Sequence, residues 1–453
     1  QFDHEGLIHA ISSEHTMFTE VLVALVVGGV IYFLVQKSKR HQLKSEDGWW
    51  GEGTPPDKEE DVSIRPYTVR MDNEELQDLY TRIDQTQSFP SLEDSQFTYG
   101  FNSQYLQNVV SYWRHDFDWR RQVEKLNKYP HYKTNIEGID VHYVHVRPKN
   151  LPEGVTAVPL LMVHGWPGSF YEFYRMIPLL TEPSNPGDIV FEVVCPSIPG
   201  YCFSEAPHKK GKWLEVLTRD FQQFYAHGGD WGWIVTTNMA QLEPKIIKGL
   251  HLNFAPPSKP GLPMVLSIML GRRFPKMFGF NEHDIQRIYP IVQNLVVESV
   301  KESGYMHIQA TKPDTVGRGL NDSPVCLAAY ILEKISTWTD HDFRTLDDGG
   351  LTRKFSLVDL LTNVMIYLAA SSPPCASTRR TLARVLTMHV PTGFACFPNE
   401  LMHTPKLWVQ QKYRKLKTFT PMARGGHFAT MEEPELMAQD IQNFTKMQEK
   451  RKK

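Results

Sequence analysis

The chain has 453 residues, with 49 Lys and Arg against 51 Asp and Glu and a net charge of −2. This balance gives no case for a nucleic-acid partner, and the length calls for a core with an inserted or added region. Five cysteines (Cys195, Cys202, Cys326, Cys375, Cys396) form no Cys-x-x-Cys pair and no disulfide framework, and no metal-ligand cluster stands out among the 18 histidines.

Phe18 to Val35 is apolar apart from Thr19, Glu20 and glycines, and Lys37, Lys39, Arg40, His41 and Lys44 follow it. A membrane-spanning helix needs about 20 residues, with a lower limit near 17. Basic residues on the C-terminal side hold that side in the cytosol. Residues 18–35 are therefore expected to be a signal anchor with a lumenal N-terminus. Residues 1–17 then read as an upstream extension, with Met17 as the expected natural start.

Residues 36–62, rich in Trp, Gly, Pro and charge, read as a linker. In 63–150, Asn73 to Ile83 and Gln104 to Leu126 have helical apolar spacing, and Ile136 to Val146 alternates around Gly138 as a hairpin does. A core is expected over 151–254 and again over 390–448, before a basic tail at 449–453. The 255–389 stretch between them is too long for a loop and reads as a helical lid.

Gly228-Gly229-Asp230-Trp231-Gly232 lies between a strand-like run, Phe224 to Ala226, and a helix-like run, Ile234 to Leu242. Small residues around a nucleophile at a strand-to-helix turn form the elbow of an α/β-hydrolase fold. With aspartate at its centre, the elbow suits attack on a strained or activated sp3 carbon, leaving an alkyl ester.

Upstream, the apolar Pro159 to Val163 leads into His164-Gly165-Trp166-Pro167-Gly168-Ser169. Such a loop and the residue after the nucleophile commonly supply the oxyanion hole, here the backbone N–H groups of Trp166 and Trp231. Downstream, Arg424-Gly425-Gly426-His427 places a histidine after the nucleophile in the required order. For the acid between them, Glu400 is the better candidate: it follows Val390 to Phe394, a run that can end a core strand, and the alternative stretch Ala255 to Pro263 contains no Asp or Glu. His403 is taken as surface or structural.

With these motifs, Pro196-Ser197-Ile198-Pro199-Gly200-Tyr201 and Ser303 to Pro313, the chain resembles the epoxide hydrolases of the α/β-hydrolase superfamily, closest to the microsomal type. The resemblance implies a mostly parallel sheet, a helical lid and an N-terminal region that wraps the core. It implies Asp230 as nucleophile, His427 with Glu400 as activator of the hydrolytic water, and Tyr305 and Tyr367 as lid electrophiles. It further implies lipophilic arene and alkene epoxides as substrates, water as co-substrate, no cofactor, and an endoplasmic-reticulum membrane location facing the cytosol.

Two stretches depart from the family pattern. Lys210 to Phe224 is short for a parallel crossover, and Ser371 to His389 is short and leaves only Met388-His389-Val390 of the strand before Glu400. Trp233, where relatives have a small side chain, is expected to crowd the elbow. Trp166 and Trp231, as halide donors, keep a haloalkane dehalogenase open, and the two short stretches keep open a lipophile-binding relative with impaired catalysis.

Overall fold

The computed structural model describes residues 48–55, 60–151, 155–185, 187–209, 223–257, 261–370 and 388–450. The expected extension and anchor, much of the linker, and both departing stretches (210–222 and 371–387) lie outside the described residues.

Nine strands among the described residues form one sheet. They are β1 (Arg65–Tyr67), β2 (His131–Ile136), β3 (Ile139–Val146), β4 (Val158–Val163), β5 (Phe191–Pro196), β6 (Phe224–Gly228), β7 (Ile247–Leu252), β8 (Thr392–Cys396) and β9 (Leu416–Pro421). Their order is β1-β2-β3-β5-β4-β6-β7-β8-β9. The first four in that order pair antiparallel, and every later pair is parallel. β6 is buried along its whole length, and β4 along its last four residues. This explains why both read as continuous apolar runs: a parallel sheet is covered on both faces. The β2–β3 hairpin turns on Glu137 and Gly138, both at positive φ (52° and 85°), the twist that a tight hairpin favours.

The N-terminal region adds β1 to β3 to the sheet and three helices, α1 (Asn73–Asp84), α2 (Ser103–His115) and α3 (Trp119–Leu126). The single helical stretch expected over Gln104 to Leu126 is in fact α2 and α3. Asp118 separates them because its side chain accepts from the Arg121 N–H and starts a new helix. The region also contacts the stretch between β7 and β8, where the Phe97 N–H donates to the Arg344 carbonyl at 3.0 Å.

After β4, α4 (Met176–Thr181) precedes β5, and α5 (Asp230–Leu242) follows β6. Between β7 and β8 runs a helical insertion containing α6 (Leu262–Leu270), α7 (Pro275–Phe278), α8 (Glu282–Ile288), α9 (Glu298–Glu302), α10 (Gly304–Thr311), α11 (Pro313–Asp322), α12 (Pro324–Thr339) and α13 (Leu357–Leu368). Met264, Phe280 and Ile288 form a small core with Trp408, joined by Phe278 and Tyr289. α12 and α13 instead belong to the main core.

The strand before Glu400 overlaps the run expected at Val390 to Phe394. It is Thr392–Cys396, paired on both sides, while Met388 makes only an isolated bridge to Tyr413. Pro391 has no N–H to give a ladder, so pairing begins after it. The chain closes with α14 (Lys406–Lys412), α15 (Ala429–Glu432) and α16 (Pro434–Glu449). Phe444 of α16 is buried beneath the sheet, edge-on to Tyr225 at 6.2 Å. Burying such a ring contributes roughly 1.5–3 kcal/mol. No helix among the described residues is long and apolar enough to cross a membrane.

Candidate active site

Asp230 begins α5 with φ of 44°, a left-handed conformation that costs of order 1–3 kcal/mol in a non-glycine residue. The turn is held from behind. A Cβ added to Gly232 would sit 1.9 Å from the Val163 carbonyl oxygen, so α5 lies directly on the end of β4. Trp233 does not crowd the elbow. Its indole N–H donates to the Tyr413 hydroxyl at 2.5 Å, and its ring packs edge-on to Phe254.

The loop after β4 is shaped by His164. This histidine is fully buried, and burial pulls its pKa down to about 4, leaving a neutral ring. The Ile198 N–H donates to Nε2 at 3.1 Å, so Nδ1 carries the proton given to the Gly165 carbonyl at 2.9 Å. The loop then directs the Trp166 N–H onto Asp230 Oδ1 at 2.7 Å. Trp231 lies in the first turn of α5, where backbone N–H groups lack intrahelical acceptors.

His427 arrives from the loop after β9. Its N–H donates to the Trp338 carbonyl at 3.0 Å, and Glu432 accepts from Gly426 (2.8 Å) and Phe428 (2.9 Å) on either side. Gly426 is a packing requirement: an added Cβ would stand 2.4 Å from the Thr339 carbonyl at the end of α12.

Glu400 Oε1 lies 2.5 Å from His427 Nδ1 and accepts from the Leu401 N–H at 2.7 Å. On the other side, His427 Nε2 stands 3.6 Å from Asp230 Oδ2, an ion-pair separation longer than a hydrogen bond. Burial alone would hold His427 neutral, but the Glu400 carboxylate and then Asp230 outweigh it and push its pKa well up. His403 is buried and bonds Asp284 of α8 at 2.7 Å, a structural tie between the insertion and the acid's loop.

The two tyrosines differ. Tyr305 of α10 stacks on the Trp166 indole, with centroids 4.7 Å apart and planes 10° off parallel. Tyr367 of α13 is buried, and its hydroxyl donates to the Gly168 carbonyl at 2.7 Å. For both, burial first and the nearby Asp230 among the charges raise the pKa and keep the phenol protonated.

A cavity of about 20 Å³ lies among Asp230, His427, Gly165, Trp166, Asn253 and Glu172. That is enough for one water molecule. Glu172 was missed from sequence. It sits in the Phe170–Phe173 turn, where Phe-Tyr-Glu-Phe reads as an ordinary amphipathic surface. Its carboxyl rests against Gly168 and also lines a second cavity of about 110 Å³, beside Lys125, Arg175 and Asp359. Burial, and then the Asp230 charge, raise the Glu172 pKa well above the carboxylate range, so it is held as a neutral acid. His227 also faces the small cavity and leads inward through His251 (3.0 Å) to Asp440 (2.9 Å).

Residues 64–173 match the family described as the epoxide hydrolase N terminus, and residues 158–375 match the alpha/beta hydrolase fold. Epoxide hydrolase 1 of Sus scrofa is 54% identical over 450 residues, covering 94% of this chain and 98% of that protein. The chain belongs to the epoxide hydrolase family. Juvenile hormone epoxide hydrolase 1 of Ctenocephalides felis is 40% identical over 93% of this chain and 94% of its own length. The crystal structure of the Bombyx mori juvenile hormone epoxide hydrolase superposes with a TM-score of 0.82 at 36% identity, covering 90% of this chain and 99% of that one. The Aspergillus niger epoxide hydrolase structure gives 0.69 at 27% identity, covering 86% and 97%.

For this epoxide hydrolase fold, Glu172→Gln is predicted to turn over within about threefold of wild type, because a neutral acid and an amide both donate and accept. Glu172→Leu removes a polar wall of the water-sized cavity, a loss of about tenfold or more in diol formation. Steady-state rates for the two variants check this, and equal rates would exclude a polar role for Glu172.

Proposed function

We propose that the chain hydrolyses lipophilic arene and alkene epoxides to vicinal diols in two steps at Asp230. The observation that carries this reading is the line from Glu400 Oε1 through His427 to Asp230, at 2.5 and 3.6 Å, beside a water-sized cavity. The same line speaks against the catalytically impaired alternative. The names of the relatives, epoxide hydrolase 1 and juvenile hormone epoxide hydrolase, support the substrate class.

In the first step Asp230 Oδ2, the oxygen free of the Trp166 N–H, attacks an epoxide carbon. The C–O bond of the ring breaks as the ester forms. Tyr305 and Tyr367, kept protonated by their surroundings, donate to the developing alkoxide, which takes a phenol proton. For Tyr367 this means exchanging the Gly168 carbonyl for the substrate.

Esterification removes the Asp230 charge, one of the two that hold the His427 pKa up. The imidazole therefore becomes a better supply of the neutral base as soon as the ester exists. It takes a proton from water, the hydroxide adds to the Asp230 ester carbonyl, and the oxyanion meets the Trp166 N–H and that of Trp231. Collapse releases the diol and restores the carboxylate, and the proton that His427 took from water returns to the phenolate left by the first step.

We further propose that residues 18–35 anchor the protein in the endoplasmic-reticulum membrane, with the catalytic part in the cytosol. The support is the apolar run and the bases after it. Alkaline carbonate should leave the full chain in the pellet and release a version lacking residues 1–46; equal release of both would refute the anchor.

In oxygen-18 water, label is expected in Asp230 after several turnovers of styrene oxide, and unlabelled Asp230 alongside labelled diol would disprove the ester route. Asp230→Asn should form no adduct. His427→Gln should accumulate ester and release diol roughly 10²-fold or more slowly. Tyr305→Phe and Tyr367→Phe should each slow ester formation by about 10- to 100-fold while leaving its hydrolysis unchanged; a hydrolysis defect instead would misassign them. Because Glu400 raises the His427 pKa, Glu400→Gln should move the alkaline-rising limb of ester hydrolysis to lower pH. A limb that stays or moves upward would count against the pairing.

A further inference from the structure

One surface of the insertion is unexplained by the chemistry. On α6 and the turn after it, Leu262, Leu266, Met269, Leu270, Phe274 and Met277 are between 39% and 69% exposed. The α6 positions recur at spacings of four, seven and eight, so they share one helix face. The other face is already occupied. Met264 and Ser267 are buried, and the Trp408 indole N–H donates to Ser267 Oγ at 2.8 Å. The apolar face cannot turn inward without breaking that packing.

Arg272, Arg273 and Lys276 are exposed within the same segment, and no Asp or Glu occurs from Ala255 to Asn281. The Arg273 guanidinium lies over the Phe274 ring at 5.5 Å. Apolar side chains flanked by unopposed bases match the boundary of an anionic bilayer, with acyl chains for one and phosphates for the other. A second copy of the chain fits poorly, because a two-fold contact would set three bases against three bases with no acid between them.

We propose that this face of α6, through Met277, is a bilayer contact selective for anionic lipid. The contact is on the part of the insertion that serves the site. Met264 of α6 and Ile288 of α8 share a core, and Arg287 of α8 donates to the Glu400 carbonyl at 2.5 Å. Epoxides dissolved in the bilayer would then meet the protein at the subdomain that covers its acid.

The test uses the full chain carrying one environment-sensitive fluorescent amino acid, at Met269, Phe274 or, as a control, Phe89, which is 78% exposed. Samples are reconstituted with phosphatidylcholine–phosphatidylserine vesicles whose acyl chains are brominated. Emission from positions 269 and 274 should fall severalfold relative to position 89, and less so in phosphatidylcholine alone. The combined Arg272→Glu, Arg273→Glu, Lys276→Glu variant should lose that quenching while hydrolysing a water-soluble epoxide at the wild-type rate. Quenching no greater than at position 89 would overturn the proposal. So would shielding that depends on protein concentration without lipid, which would mean a second copy. The readout is local to α6 and independent of turnover, so it fails separately from both the anchor and the ester chemistry.

Discussion

The contact between the Glu400 carboxylate and the His427 imidazole, 2.5 Å long and sealed from solvent, sets the terms for everything else in the site. Two ionisable groups buried together are costly unless paired and bonded, so both loops that carry them must be fixed. Much of the surrounding structure does this. Glu432 bonds the N–H groups on either side of His427, Trp338 at the end of α12 accepts from the histidine's own N–H, and Arg287 of the insertion grips the Glu400 carbonyl. The insertion therefore contributes to the position of the acid and the base.

The opposite side of the site stores strain instead of charge. Asp230 sits at φ of 44° because α5 is pressed onto the end of β4 at Gly232, and β4 lies between two parallel neighbours that do not yield. The result is a carboxylate with one oxygen engaged by Trp166 and the other facing the imidazole across 3.6 Å. In this arrangement the charge that attacks the substrate is also a charge that keeps the base protonated, and consuming the first relaxes the second.

How much of this was legible depended on whether the constraint was local. The elbow and the loop from His164 to Ser169 could be read because steric limits at a tight turn restrict consecutive residues. Glu400 followed from chain order and from the lack of any acid between Ala255 and Pro263. The strand before it was legible at Val390 to Phe394, but pairing starts at Thr392 and runs on to Cys396, since Pro391 separates Met388 to Val390 from the residues that pair. The α2–α3 break was overlooked because Asp118 caps a helix inside an otherwise continuous apolar pattern. Glu172 carried no sequence signal at all. The cavity that it lines is closed by distant residues such as Phe355 and Met431. Tyr305 and Tyr367 were singled out by family resemblance, and their closeness to the elbow is a property of the fold.

The account turns on a pKa that falls when Asp230 becomes an ester. Titrating the His427 ring in the resting enzyme, by nuclear magnetic resonance difference against His427→Gln, gives one inflection. The pH dependence of ester breakdown in a single turnover gives a second. The account predicts that the second inflection lies at lower pH than the first; coincident inflections, or the reverse order, would contradict it.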